Sequence, residues 1–260
     1  CPNLELTFHL EFENGTTFDG TGVATNYPFP VGRTQLTYTV TDASGNTAEC
    51  SYQVWIKNID DPKVRIIEVS TEAGLYERGH IKNAFKINWY TDLVDTVKRD
   101  IVPIGKFNTL ISKAGIDKDT TVVFYGDKNN WFAAWGAWIF NIYGQKDVRV
   151  LDGGRVKWEK DGRALTTAVP TFPAGNFVAN KADKTLRATL INDVLPVAKK
   201  RVKADLIDIR GADEYNGKIF AAPGFQELAV RAGHIPGAIN VPWGANVNTD
   251  GTFKTVAELK

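Results

Sequence analysis

Methionine is missing from all 260 residues, histidine occurs three times, and the only cysteines are Cys1 and Cys50. Everything after Cys50 is therefore without a thiol, which excludes a disulfide scaffold or a cysteine-ligated metal site from most of the chain. No apolar run approaches the roughly 18 residues of a membrane-spanning helix. Charge of either sign is not in excess: 31 Lys and Arg stand against 30 Asp and Glu, a net +1. Bulk electrostatics thus gives no pull toward nucleic acid or an anionic membrane. The short run Lys199-Lys200-Arg201 reads as a solvated helix end. The sequence opens on Cys1 without an initiator Met or a leader-like stretch, and the expectation is a point of processing or truncation.

What is present divides into two textures. Residues 1–58 carry β-branched and aromatic runs such as Leu36-Thr37-Tyr38-Thr39-Val40 and Tyr52-Gln53-Val54-Trp55-Ile56. Turn-forming groups separate them: Asn14-Gly15, Asp19-Gly20, Pro30-Val31-Gly32 and Ser44-Gly45-Asn46. Asn14-Gly15-Thr16 fits a glycosylation sequon and a hairpin turn equally well. This pattern predicts a small all-β, sandwich-like segment, followed by a linker at 57–62. From residue 63 onward strands and helices alternate: strands at 64–69, 121–125 and 148–151, helices at 107–114 and 131–143. Such alternation predicts a parallel sheet with helices on both faces.

An internal repeat carries the most information. Gly79-His80-Ile81-Lys82-Asn83-Ala84-Phe85-Lys86-Ile87-Asn88-Trp89 returns as Gly233-His234-Ile235-Pro236-Gly237-Ala238-Ile239-Asn240-Val241-Pro242-Trp243. An acid-bearing strand precedes each copy, with Glu68 in the first and Asp208 in the second. Two α/β units of related design are expected, at 63–165 and 186–260, joined by a Thr-, Pro-, Ala- and Lys-rich linker at 165–185.

Leu206-Ile207-Asp208-Ile209-Arg210, Glu214-Tyr215 and Gly233-His234-Ile235-Pro236-Gly237-Ala238 together resemble the opening half of a rhodanese domain. Asp152-Gly153-Gly154 with Trp158 resembles that family's closing signature, and Asn129-Asn130-Trp131-Phe132-Ala133 is similar to the corresponding helix start in two-domain thiosulfate sulfurtransferases. Near the N-terminus, Phe29-Pro30-Val31-Gly32, Thr37-Tyr38-Thr39-Val40-Thr41-Asp42 and Gly45-Asn46-Thr47-Ala48-Glu49-Cys50 resemble the second half of a hyalin-repeat (HYR) domain. That resemblance implies an immunoglobulin-like module working outside the cytoplasm, with a protein or glycan partner. Cys1 and Cys50 are disulfide candidates, paired with each other or with a cysteine upstream.

The rhodanese resemblance implies sulfur transfer through a cysteine persulfide. The donor is a sulfane compound such as thiosulfate, the acceptor is thiophilic, and neither cofactor nor metal takes part. A thiolate needs a depressed pKa, supplied by backbone N–H groups at a helix N-terminus and by arginine. In the first unit Gly126 stands where that cysteine is expected, so Gly126, Asp127, Lys128, Asn129 and Asn130 read as a vestigial anion loop. In the second unit, the interval from Trp89 to Gly126 measured from Trp243 ends past Lys260, so the nucleophile is expected outside these residues and the second unit is expected to be truncated. Asp208, Arg210, Arg231 and His234 are candidates for supporting that loop or binding substrate; each has a structural alternative, an ion pair for the first two and a shared backbone hydrogen bond for His80 and His234. The functional expectation is a sulfurtransferase fragment, inactive by itself. The alternative is a non-catalytic extracellular interaction protein built on inert rhodanese-like scaffolds.

Overall fold

The computed structural model describes residues 4–25, 27–98, 100–223 and 231–259, and the chain divides into two compact units, Cys1–Val64 and Arg65–Lys260.

The first unit is an antiparallel sheet of strands β1 (Glu5–Phe12), β2 (Thr17–Thr21), β3 (Gly32–Thr41) and β4 (Thr47–Ile56), in the order β2-β1-β3-β4. Alternation puts Phe8, Leu10 and Leu36 on one face, where with Ala24 they form a small core, flanked by Tyr27, Phe29, Tyr38 and Val54. Asn14-Gly15 and Ser44-Gly45-Asn46 are turns as expected. In the second, the Asp42 carboxylate accepts hydrogen bonds from the Ser44 and Asn46 amides at 2.8 and 2.9 Å. At the first, Asn14 Oδ1 accepts from the Thr16 amide and hydroxyl at 3.0 and 2.7 Å. Asp19-Gly20 is not a turn: it lies inside β2 opposite His9 and Phe8. The Phe8 ring lies over Gly20, where a Cβ would sit 2.3 Å from its Cζ, so the glycine makes room for the ring. Where the pattern predicts a small antiparallel sandwich or part of one, the described residues of this unit hold one sheet, and most of β4 is exposed. Cys50 is an exposed thiol on β4 opposite Tyr38, and Cys1 lies outside the described residues.

The second unit is built on a four-stranded sheet of β5 (Val64–Glu68), β6 (Ala84–Lys86), β7 (Thr121–Tyr125) and β8 (Asp147–Val150), ordered β6-β5-β7-β8. The pairs β5–β6 and β7–β8 are parallel. Between the strands run α1 (Leu75–Arg78), α2 (Trp89–Asp92), α3 (Ile104–Lys113), α4 (Trp131–Ile142) and, after β8, α5 (Gly154–Lys160). The continuous apolar character of β5 and β7 reflects burial on both faces: Ile67, Val122 and Phe124 pack with Phe107 and Ile111 of α3 and Ile139 and Phe140 of α4. Each such side chain contributes about 1.5–3 kcal/mol by leaving water. α3 starts three residues earlier than its apolar spacing suggests because Pro103, fixed near φ −62°, supplies its N-cap. It stops at Gly115, whose left-handed φ of 65° suits the residue after a helix.

Residues 165–185 are irregular, as a linker should be, yet they are not loose. His80 and Thr166 exchange two backbone hydrogen bonds of 2.8 Å, and the Asn108 side chain donates to Ala179 O and accepts from its amide at 3.0 and 2.9 Å. Phe172 lies under the Arg65 guanidinium at 3.5 Å, and Gly175 presses on the Ile116 backbone. The segment is a strap over the first α/β layer. Beyond it come α6 (Leu195–Ala198), β9 (Ile207–Asp208), α7 (Ala212–Tyr215) and β10 (Ile239–Asn240). The acid-bearing strand expected before the second copy is short, Ile207–Asp208, and paired in parallel with β10. Its register repeats the first copy: Glu68 stands opposite Lys86 as Asp208 stands opposite Asn240.

Candidate active-site loop

The loop after β7 occupies the place where the repeat directs attention, and its backbone is unusual. Lys128, Asn129 and Asn130 have φ of 50°, 52° and 66°, three consecutive left-handed residues with side chains. Asn fits that region better than most residues because its short amide bonds locally. Asn130 does so across the loop: its Oδ1 accepts from the Gly126 amide at 3.1 Å and its Nδ2 donates to Leu151 O at 2.7 Å. It therefore binds the loop to the turn after β8 and makes no side-chain cap on α4.

Gly126 is buried with its α-carbon hard against β5. A Cβ there would lie 2.1 Å from Val69 O. Asp127 turns inward. Its carboxylate accepts from the Thr71 amide at 3.1 Å and the Glu72 amide at 2.9 Å, with the Thr71 hydroxyl at 3.3 Å. Two successive backbone N–H groups are the kind of nest that binds an anion, and here the chain fills it from within. Lys128 is exposed and Asn129 half-buried.

Beneath the loop lies a charged cluster shut off from water. Arg155, at the start of α5, directs one guanidinium nitrogen to both Glu68 oxygens at 3.2 Å and another to Gly79 O at 2.6 Å. The Tyr125 hydroxyl donates to Glu68 and accepts from the Ile81 amide at 2.9 Å. Burial, and then the neighbouring Glu68 charge, push the Tyr125 hydroxyl well above the ordinary tyrosine range. The same causes raise Tyr76 to about 12. Arg155 and Tyr125 did not stand out in the sequence. The available signal was an arginine directly behind the Gly153-Gly154 turn.

The second copy rebuilds this cluster from different residues. Arg210 bonds Asp208 at 2.6 and 3.0 Å and donates to Gly233 O at 2.8 Å, as Arg155 does to Glu68 and Gly79. Its hydrogen bonds hold the Asp208 carboxyl below the usual range. His80 and His234 also match. Each ring stacks on a tyrosine at 3.7 Å, Tyr76 or Tyr215, and each Nδ1 faces that tyrosine's carbonyl, at 2.9 and 2.8 Å. His80 is fully buried and reaches Ala168 O through Nε2 at 3.1 Å, whereas His234 is exposed. Arg231 is exposed, two residues before Gly233. The structure thus brings Asp208, Arg210 and His234 around one loop and keeps them separate in kind from residues 126–130. Among the described residues no group of His, Cys, Asp or Glu is placed to hold a metal ion, and no helix is long and apolar enough to cross a membrane.

Two sheets, each entered by the same strand–loop–glycine-histidine motif and each locked by an acid–arginine–glycine carbonyl cluster, define a class: the chain belongs to the rhodanese-like family, whose domain profile matches residues 51–161 and 195–260. A HYR domain profile matches residues 6–56. The chain is similar to the sulfur carrier protein TtuD of Thermus thermophilus, 47% identical over 210 residues, covering 79% of this chain and 73% of TtuD. It is 48% identical over 203 residues to putative thiosulfate sulfurtransferase 1 of Mycobacterium bovis, covering 78% and 72% of the two chains. Among solved structures, SseA of Escherichia coli, described as a 3-mercaptopyruvate sulfotransferase with the rhodanese fold, superposes with a TM-score of 0.66 at 28% identity, covering 77% of this chain and 76% of SseA.

Proposed function

We propose that this chain serves sulfur transfer of the thiosulfate sulfurtransferase type, and that its first α/β unit is a non-catalytic platform for the reaction. The observation that carries this reading is the loop after β7: where the chemistry needs a thiolate beneath the loop's converging N–H groups stands Gly126, and the neighbouring Asp127 carboxylate is engaged by the Thr71 and Glu72 amides of the segment after β5. In the reaction implied, a cysteine thiolate attacks the outer sulfur of thiosulfate. The S–S bond breaks and sulfite leaves with the electron pair. The acceptor, such as cyanide, then attacks the outer sulfur of the persulfide and releases the thiolate. No residue from 51 to 260 can be that thiolate, so the persulfide belongs to a cysteine outside them.

A second reading is favoured by the same loop: a non-catalytic interaction protein in which both α/β units are scaffolds. A thiosulfate–cyanide assay separates the two. The 260-residue chain is expected to give no thiocyanate above background, and a longer chain carrying a Cys-containing loop after the next strand is expected to turn over. No turnover from that longer chain would sink the sulfurtransferase reading. The HYR match at 6–56 and the restriction of cysteine to that unit support an extracytoplasmic setting, with a protein or glycan partner for the β unit.

A further inference from the structure

Residues 247–253 form a small hairpin of their own. Val247 bridges Phe253, the Asn248 amide donates to Thr252 O at 2.8 Å, and Asp250 accepts from the Thr252 amide and hydroxyl at 3.1 and 2.6 Å. Its tip meets the residues around the loop after β7. Gly251 is buried at φ 82°, so close that a Cβ there would lie 2.9 Å from Gly153 O and 3.4 Å from Asn129 Oδ1. The Phe253 amide donates to Asp152 Oδ1 at 2.7 Å. Next to the hairpin, Trp243 stacks on Trp131 with ring centroids 5.0 Å apart and planes 20° from parallel. Lys157 and Lys160 of α5 add favourable charge toward Asp250.

We propose that the loop after β7, lacking a nucleophile and with its carboxylate turned inward, has become a socket for the 247–253 hairpin, and that this docking is how the first α/β unit fixes the position of the second. The inference rests on the platform reading above but is tested without turnover, so each can fail separately. Shape and chemistry agree on the occupant. A side chain at position 251 would press on Gly153 O, which a glycine at φ 82° avoids, and the Asp152 carboxylate takes the donor that the Phe253 amide supplies.

Stacked indoles couple their excited states, and the Trp89–Trp135 and Trp135–Trp138 pairs add couplets of their own. The Trp131–Trp243 contribution is therefore read as a difference: the circular dichroism of the whole 260-residue chain minus that of Trp243→Phe is expected to show a couplet, and that of Gly251→Val minus that of the Gly251→Val, Trp243→Phe double variant is expected to show none. A couplet absent from the first difference, or kept in the second, overturns the proposal. Because Gly251→Val could disturb the hairpin itself, a second pair reads docking alone. Asp152→Ala should raise the exchange rate of the Phe253 amide by roughly tenfold, and Asp152→Asn, which keeps an acceptor oxygen, should leave it near its original value. Equal exchange in both variants overturns the proposal as well.

Discussion

At the scale of single residues, position 126 in the loop after β7 has no room for a side chain: a Cβ there would sit 2.1 Å from Val69 O, and the backbone must shift to admit it. Gly126→Cys is expected to lower stability by about 1–3 kcal/mol in urea titration and to gain no sulfurtransferase activity. Unchanged stability would show that the loop relaxes freely. The sequence groups Asp127 with Gly126 in a vestigial anion loop, with no sign of which way its carboxylate points. The hydrogen bonds from Thr71 and Glu72, more than fifty positions away, turn it inward, and no local pattern reveals that. Buried tyrosine gives a second residue-level expectation. Tyr76 holds its proton to about pH 12 in the folded chain. The unfolded chain releases it near pH 10. Between those values the folded state binds more protons, so this contribution to stability is full below pH 10 and falls as pH rises through the window. Tyr76→Phe should flatten the alkaline limb of a stability–pH curve; an unchanged limb would contradict the assignment.

At the scale of elements, helices and strands were legible wherever local pattern and burial agree. β7 and α4 were located within a residue or so because their apolar runs are bounded by Gly126 and Gly144. The failures come from tertiary contacts. β2 absorbs Asp19-Gly20 because the Phe8 ring needs the space, and the 165–185 strap is ordered by Asn108, Ser112 and Arg65 rather than by its own composition. The second strand of this kind, β9, shrinks because only β10 is paired with it among the described residues. Ile207 and Ile239 are 60% and 54% exposed there, whereas Ile67 of β5 is fully buried. Hydrogen exchange should therefore be slow across β5 and β7 and fast across β9 and β10. Equal protection in the two sheets would contradict this.

At the scale of the whole molecule, the repeat at 79–89 and 233–243 was the feature that made the fold readable, since one motif in order twice implies one architecture twice. The structure adds how each copy is locked. Glu68–Arg155–Gly79 O and Asp208–Arg210–Gly233 O reach the same arrangement although the arginines come from unrelated positions in the chain. That convergence is invisible to a motif comparison and argues that the acid and glycine carbonyl need a guanidinium whatever its source. The β unit is the part least readable from its sequence, because the single sheet with an exposed β4 leaves its partner unspecified.

The α/β portion holds no thiol, and so no group that can carry sulfur as a persulfide. Intact-mass spectrometry of the 260-residue chain after incubation with thiosulfate tests it directly, with fragmentation to locate any added sulfur. No sulfur adduct is expected on residues 51–260, and no persulfide on Cys50 that cyanide discharges as thiocyanate. A persulfide that forms on this chain and turns over would contradict it.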